Sequence, residues 1–178
     1  SSSVSGTAGA GAYLTPDGAL LIAFDEFNPR LIVLDRTTGG EFTIALPSST
    51  LGVIGNPVRP EVYVNDATGG LAMAPTGVRR LSTPVCASPT AVAVSADGRR
   101  VVYRCLPGGG NPGYSAVLDT ASGSLVSVAP HGWSPVLNTD GSVLFQAEFT
   151  PTGMLLRRYL ADSATLDVET ALGQFFTT

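Results

Sequence analysis

The segment AVAVSADGRRVVYRC, from Ala91 to Cys105, contains the pattern that decides the fold of this 178-residue chain. A short apolar strand leads into a tight turn that ends in Asp-Gly, and a second strand rich in Val and Tyr follows. Glycine adopts positive φ freely and aspartate tolerates it, so Asp-Gly between two apolar runs predicts a β-hairpin. The same pattern occurs in AYLTPDGALLIAF, from Ala12 to Phe24, and in SPVLNTDGSVLFQAE, from Ser134 to Glu148.

A second pattern occurs four times, as an apolar strand ending in Asp, a turn of Thr, Ser and Gly, and another strand. The aspartate can accept hydrogen bonds from the backbone amides of the turn, so we expect its role to be structural. The copies are LIVLDRTTGGEFTIAL (Leu31 to Leu46), VYVNDATGGLAMAP (Val62 to Pro75), AVLDTASGSLVSVAP (Ala116 to Pro130) and the weaker RRYLADSATLDV (Arg157 to Val168).

The spacing of these aspartates shows a repeat. Asp17 and Asp140 are 123 residues apart, and Asp35 and Asp162 are 127 apart, so both pairs give 41 to 42 residues per unit over three units. A period of about 40 to 45 residues with four strands per unit is typical of β-propeller blades. The predicted fold is all-β with little helix, a small or partial β-propeller of about four antiparallel blades.

The repeat also predicts the organisation of the chain. Residues 1–11 have the composition of a flexible linker, and residues 12–178 form a single propeller-like domain. Its repeats are expected at about 12–46, 47–75, 76–130 and 131–176. The second repeat lacks the Asp-Gly hairpin, has Gly55-Asn56-Pro57 near its place, and could be short of a strand. The best helix candidate is Leu166–Phe175.

Together, the T/S-x-D-G hairpin and the D-x-x-[ST]-G turn resemble the repeats of TolB-like and other WD40-like bacterial β-propellers. The resemblance covers nearly the whole chain from Ala12 onward. It implies a closed ring of about six to eight blades, often in the periplasm, that binds other proteins. With about four units, a compact four-bladed ring, a dimer sharing one ring and an open arc covered by partners all remain open, and a β-sandwich is the alternative fold.

Composition excludes some classes of partner. The formal net charge is −4 and lysine is absent, so the chain lacks the basic surface that a nucleic-acid partner requires. No apolar run approaches 18 residues, so no transmembrane segment is expected. Charged residues make up 13%, against about 25% in typical domains. Such a surface fits a secreted β-protein with short polar turns, or a subunit that keeps its surface against other proteins.

Residues that carry catalysis or bind metals are scarce. His131 is the one histidine, and Ser115 lies in GYSAV, which lacks the second Gly of the G-x-S-x-G elbow. The stretch GGGNPG at 108–113 fits G-x-G-x-x-G in letters, but a strand rather than a helix follows it. The chain has no zinc or calcium ligand series. We therefore predict a protein that is not an enzyme, with no cofactor and no metal.

The two cysteines bear on location. Cys86 and Cys105 flank one predicted hairpin, so a disulfide and a pair of reduced, buried thiols both fit, and the register decides between them. A disulfide would favour an oxidising compartment. The expected location is periplasmic or secreted, at or near a membrane.

Binding residues are expected in the long loops at the end of the blades opposite the tight hairpin turns, because function concentrates in loops on rigid scaffolds. The leading interpretation is a non-catalytic scaffolding subunit that binds other protein subunits and stabilises a larger, membrane-associated assembly. The alternative is a lectin-like propeller that binds a small ligand or carbohydrate. The candidate partner-binding residues are Phe27, Asn28, Pro29, Tyr114, His131, Trp133 and Phe149.

Overall fold

The computed structural model describes residues 12–25, 27–46, 53–66, 69–74, 77–86, 89–108, 113–151 and 153–172. The predicted linker at residues 1–11 lies outside the described residues, as do the last positions of the fourth repeat.

Sixteen strands form four antiparallel sheets of four strands, and in each sheet the strands are neighbours in chain order. Blade 1 contains β1 (Ala12–Leu14), β2 (Leu20–Asp25), β3 (Arg30–Asp35) and β4 (Glu41–Ala45). Blade 2 contains β5 (Ile54–Gly55), β6 (Val62–Asp66), β7 (Gly69–Ala74) and β8 (Gly77–Arg80). Blade 3 contains β9 (Thr90–Val94), β10 (Arg100–Cys105), β11 (Tyr114–Asp119) and β12 (Leu125–Pro130). Blade 4 contains β13 (Trp133–Leu137), β14 (Val143–Thr150), β15 (Gly153–Leu160) and β16 (Thr165–Ala171).

The first strands of successive blades, β1, β5, β9 and β13, lie next to one another, so the sheets extend outward from a shared inner side. This arrangement confirms the predicted all-β, propeller-like fold. The described part of the chain contains no helix.

Two details of the sequence-based prediction are wrong. Blade 2 has all four strands, and its outer strand β8 lies beyond Pro75, where the second repeat was expected to end. Of the helix candidate Leu166–Phe175, residues 166–171 belong to β16, which pairs with β15, and residues 173–175 lie outside the described residues. In β16 Leu166 and Val168 alternate with polar residues, which is the period of a strand.

Asn56 explains why blade 2 keeps its first hairpin without Asp-Gly. Its Oδ1 accepts hydrogen bonds from the backbone amides of Val58 at 3.0 Å and Arg59 at 3.1 Å. The aspartates of the other turns accept amides in the same way, as Asp97 does from Arg99 at 3.0 Å and Asp119 from Ser122 at 2.9 Å. An asparagine side chain can therefore replace the aspartate at this turn.

Three clusters of buried side chains hold the blades together, one between each pair of successive blades. Blades 1 and 2 share a cluster around Leu31 and Val62. Blades 2 and 3 share one around Tyr63 and Tyr103, and blades 3 and 4 share one that includes Leu144. Among the described residues no such cluster joins blade 4 to blade 1. The described residues of the four blades thus form an open arc, joined by three interfaces.

Polar contacts add to the packing between blades 2 and 3. The fully buried Tyr103 of blade 3 donates its hydroxyl to the backbone carbonyls of Val64 at 2.7 Å and Leu71 at 3.1 Å, both in blade 2. Asn56 Nδ2 donates to the carbonyl of Gly98, in the first turn of blade 3, at 2.9 Å. Buried hydrogen bonds of this kind fix the relative position of two sheets, because breaking one leaves polar groups unpaired.

A disulfide joins Cys86, which lies between β8 and β9, to Cys105 at the end of β10, with 6.1 Å between the Cα atoms. Both residues are buried, so the bond belongs to the core between blades 2 and 3. It fixes the link between these blades to the end of β10.

We expect Tyr103→Phe to lower the free energy of unfolding by about 1 to 3 kcal/mol, because two buried carbonyls lose a hydrogen-bond donor. The measurement is chemical denaturation followed by circular dichroism. Tyr159→Phe is the matched control, since Tyr159 is also buried but its hydroxyl donates no hydrogen bond within the described ranges. Equal stability of the two variants would contradict this role of Tyr103.

We expect reduction of the disulfide to lower the free energy of unfolding by about 3 kcal/mol, because the closed loop of 19 residues restricts the unfolded chain. Thermal unfolding with and without a reductant measures the effect. The double variant Cys86→Ala/Cys105→Ala should be less stable than the oxidised protein and insensitive to the reductant. A melting temperature unchanged by complete reduction, verified by thiol counting, would argue against the expectation.

Candidate binding site at the loop end

All of the predicted binding residues lie at one end of the blades, here called the loop end. This end carries the loops between the second and third strands and the links between blades, opposite the Asp-Gly turns. Phe27, Asn28 and Pro29 lie between β2 and β3 of blade 1. The others belong to blades 3 and 4 or to the link between them, and are Tyr114, His131, Trp133 and Phe149.

The loop of blade 1 is organised by Asp25. Its carboxylate accepts the backbone amides of Phe27 and Asn28, each at 3.1 Å, and the side-chain amide of Asn28 at 3.2 Å. Arg30 donates to the same carboxylate at 3.1 Å. Asn28 is therefore occupied within the loop, and the Pro29 carbonyl accepts the amide of Leu46 at 2.8 Å. The Phe27 side chain is 87% exposed and is the part of this loop that can reach a partner.

Three of the predicted residues come together as an aromatic cluster, His131, Trp133 and Phe149. The ring centroids of His131 and Trp133 are 5.6 Å apart and those of Trp133 and Phe149 are 6.3 Å apart, both in edge-on geometry. Within the described residues, no ring contact or hydrogen bond joins Phe27 to this cluster. The predicted residues thus form two separate groups.

Tyr114 has a structural role instead. It is buried, and its hydroxyl donates to the backbone carbonyl of Pro84 at 2.6 Å. Pro84 belongs to the link between blades 2 and 3, close in sequence to Cys86. Tyr114 therefore fixes this link from the loop end and offers no hydroxyl to a partner.

An irregularity of β13 helps to place Trp133. The pairing register between β13 and β14 shifts between Trp133 and Val136. Ser134 has a φ of 48°, which is uncommon for a residue other than glycine. Bulges of this kind re-aim side chains. Here the bulge follows immediately after the indole that contacts both His131 and Phe149.

The aromatic cluster forms part of a cleft of about 500 Å³ between blades 3 and 4. The cleft is lined by Gly113, Pro130, His131, Trp133, Glu148, Phe149 and Arg157. Arg157 forms ion pairs with Glu148 and with Glu169, the latter at 2.7 Å, so two carboxylates share one positive charge. A cleft of this size, with aromatic and charged groups, is within the usual range for small-ligand sites.

Arg104 places a further charge beside the cleft. Its guanidinium carbon lies 5.7 Å from the centroid of the Trp133 ring, which is within the range of a cation–π contact. Burial lowers the pKa of this guanidinium, although an arginine side chain remains protonated. Burial also lowers the pKa of His131, and the nearby Arg104 lowers it further while Glu148 opposes the change. His131 is therefore neutral at neutral pH.

The binding residues predicted from the sequence do not include Arg104, Glu148 and Arg157. In the sequence such residues can be recognised as charged positions within an otherwise apolar strand, as in VVYRC and QAEF. Such a residue is costly in a sheet core unless it has a partner or lies at an opening. In the described portion of the chain, no group of three or more His, Cys, Asp or Glu residues is placed to hold a metal ion.

A second candidate surface is the sheet face of blade 4 that points away from blade 3, here called the end face. The buried residues Leu144 and Tyr159 pack toward blade 3, and the alternate positions of the same strands face outward. Large apolar side chains on the end face are between 36% and 62% exposed. They are Val136, Phe149, Leu156, Leu160 and Val168.

Solved structures share this architecture at low sequence identity. Hydrazine synthase from Kuenenia stuttgartiensis matches 97% of this chain and 53% of its own, with a TM-score of 0.65 and 14% identity. A protein of Agrobacterium tumefaciens described as TolB matches 95% of this chain and 62% of its own, with a TM-score of 0.55 and 14% identity. The Cps50 (Swd1) β-propeller domain of Myceliophteria thermophila matches 89% and 57%, with a TM-score of 0.59 and 12% identity.

These similarities establish a β-propeller fold of the kind found in TolB and WD40 propellers. The chain spans little more than half the length of the structures it matches. One of them is an enzyme by name, so the fold alone does not decide whether this protein is one. No family profile and no curated protein matches the sequence. Across the described ranges, no helix is long and apolar enough to cross a bilayer.

We expect the pKa of His131 to lie below its usual value of 6.5 and to rise in Arg104→Gln, because that change removes a nearby positive charge. An NMR titration measures this directly, since the chain has a single histidine. Arg158→Gln is the control, because Arg158 pairs with Asp167 on blade 4. A pKa at or above 6.5 in the unaltered protein, or equal effects of the two substitutions, would contradict the assigned geometry.

Proposed function

We propose that this protein is a non-catalytic, protein-binding β-propeller module that serves as a scaffolding subunit outside the cytoplasm. The observation that carries the proposal is the apolar end face of blade 4, which no described residue covers. Blades bury their sheet faces against neighbouring sheets, so an apolar face of this kind suits a further sheet. The occupant we propose for the end face is a β-sheet supplied by a partner protein.

The chemistry of the end face supports a protein partner. Val136, Leu156 and Val168 lie on the same face of the blade 4 sheet, on β13, β15 and β16, and are exposed. Arg158 lies among them and pairs with Asp167, so the charge on this surface is compensated locally. Exposed apolar patches with few charges are typical of protein interfaces. Twisted sheets that pack face to face interdigitate such side chains.

The loop end supplies aromatic anchors beside this face. Phe149 is exposed on the end face and also contacts Trp133 of the aromatic cluster. Phe27 projects from the loop of blade 1. Aromatic side chains contribute strongly to binding energy in protein interfaces. A partner that covers the end face would contact Phe149 on blade 4. Phe27, on blade 1, offers a second contact.

The disulfide supports a location outside the cytoplasm. Cys86 and Cys105 are bonded within the core, and such bonds persist mainly in oxidising compartments. The low content of charged residues, 13%, is compatible with a subunit whose surface is largely covered. The likeness to TolB points in the same direction as an analogy of fold.

To test the end face, a photo-crosslinking amino acid replaces Leu156 in the full chain, expressed in its native host. We expect adducts with one partner polypeptide, and we expect Val168→Glu to reduce their yield at least tenfold, because it places a charge in the apolar interface. The same amino acid at Leu125 is the matched control, since Leu125 is an exposed strand leucine of blade 3.

The outcomes separate the possible occupants. Adducts of twice the chain mass would show that a second copy covers the end face and would replace the partner proposed here. Equal yields from Leu156 and Leu125, or a Val168→Glu variant that crosslinks normally, would reject the end face as an interface. Circular dichroism of each variant confirms that the fold is retained.

A further inference from the structure

Among the described residues, Arg104 has no anionic partner. It lies on the face of blade 3 that points toward blade 4, since the core residue Val102 precedes it by two positions on β10. Within the described residues its guanidinium has the contact with Trp133 and neither an ion pair nor a hydrogen bond. Glu148, the acidic residue that lines the cleft, is paired with Arg157, as is Glu169. A partly buried cation without a partner is unfavourable, so this position suits an anion from outside the chain.

Unpartnered polar atoms are concentrated around Arg104. Among the described residues, five buried side-chain polar atoms lack a hydrogen-bond partner, and four of them belong to Arg104, Ser115, His131 and Gln146. Ser115 is opposite Arg104 in the pairing of β10 with β11. Gln146 donates its side-chain amide to the carbonyl of Pro130 at 2.7 Å, and His131 is the next residue.

Two of these residues are almost completely buried, Ser115 at 0% and Gln146 at 2% exposure. Buried polar groups in folded proteins are normally hydrogen-bonded, so each exception requires a reason. Of these residues His131 lines the cleft, Arg104 contacts the cleft residue Trp133, and Gln146 contacts the cleft residue Pro130. Their common position at the loop end of the interface between blades 3 and 4 indicates a site with unsatisfied hydrogen-bonding capacity.

The aromatic part of the cleft indicates the rest of the ligand. Trp133 and Phe149 are both partly exposed and line the cleft. His131 is held neutral beside them, so the positive charge available to a ligand is that of Arg104. Guanidinium groups bind carboxylates in a planar, bidentate geometry, and flat apolar groups pack well against aromatic rings.

We propose that the cleft between blades 3 and 4 binds a small aromatic carboxylate, with its carboxylate on Arg104 and its ring against Trp133 and Phe149. The site is a small-ligand site in addition to the protein-binding end face, and the two share Phe149. Its volume of about 500 Å³ accommodates a ligand of this size.

Benzoate is the probe, because it has the proposed carboxylate and ring and nothing else. The indole of Trp133 reports binding by fluorescence, since it is the one tryptophan in the chain, and the ring protons of the single histidine provide an independent NMR signal. We expect saturable changes in both signals. Benzamide has the same shape without the charge and should bind at least tenfold more weakly than benzoate. Acetate and inorganic phosphate lack the ring and should also bind at least tenfold more weakly than benzoate.

Arg104→Gln should weaken benzoate binding at least tenfold, and Arg104→Lys should retain part of it, because lysine keeps the charge but not the planar geometry. Arg99→Gln is the control, since Arg99 lies in the exposed Asp-Gly turn of blade 3. Equal binding of benzoate and benzamide, or unchanged binding by a folded Arg104→Gln variant, would overturn the proposal. So would the absence of any signal at about 10 mM benzoate, beyond the range of a specific site.

This test is independent of the end face. Val168→Glu alters the end face and leaves the cleft intact, so it should bind benzoate with unchanged affinity. Loss of benzoate binding in that variant would indicate that the fluorescence change arises at the end face, and would also overturn the assignment to Arg104. Phosphate binding stronger than benzoate binding would replace the aromatic carboxylate with a phosphate ligand.

Discussion

The constraint on which the structure depends is that a four-stranded blade cannot bury a sheet face by itself. Each blade has two faces, and the three interfaces between successive blades cover six of the eight. The buried clusters around Leu31, Tyr103 and Leu144 occupy these interfaces. Apolar burial contributes about 25 cal/mol per Å² removed from water, so the uncovered faces are where further contacts gain most.

The second and third interfaces differ in how they treat polar groups. Between blades 2 and 3, Tyr103 and Asn56 reach across and satisfy backbone carbonyls of the neighbouring blade. Between blades 3 and 4, Arg104 and Gln146 leave polar atoms without partners. Among the described residues, the interface between blades 2 and 3 has one such atom, Arg79 Nη1, whereas the interface between blades 3 and 4 has four and can accept an additional molecule. A buried polar network stabilises the fold when all its members are hydrogen-bonded and destabilises it otherwise. A ligand that supplies the missing hydrogen bonds would therefore stabilise the interface between blades 3 and 4.

Most of the fold could be predicted from the sequence because it rests on local rules. The Asp-Gly turns and the alternation of apolar residues specify the hairpins, and their spacing specifies the blades. The turn at Asn56 escaped prediction because another side chain performs the role of the aspartate. Ring closure and the contact of Arg104 with Trp133 depend on packing between distant segments and on the bulge at Ser134, for which a sequence offers no periodic signal. For the candidate site, therefore, His131, Trp133 and Phe149 could be named in advance but not their charged neighbours.

The two ends of the arc are chemically different. Blade 4 presents the aromatic Phe149 with exposed Leu and Val side chains, whereas the outward side of blade 1 carries Leu14 and half-buried aliphatic residues. The two ends of the arc therefore present different surfaces. A head-to-tail assembly of such arcs uses heterologous contacts, and the angle that the three interfaces accumulate between the first blade and the last sets whether it closes or grows without limit.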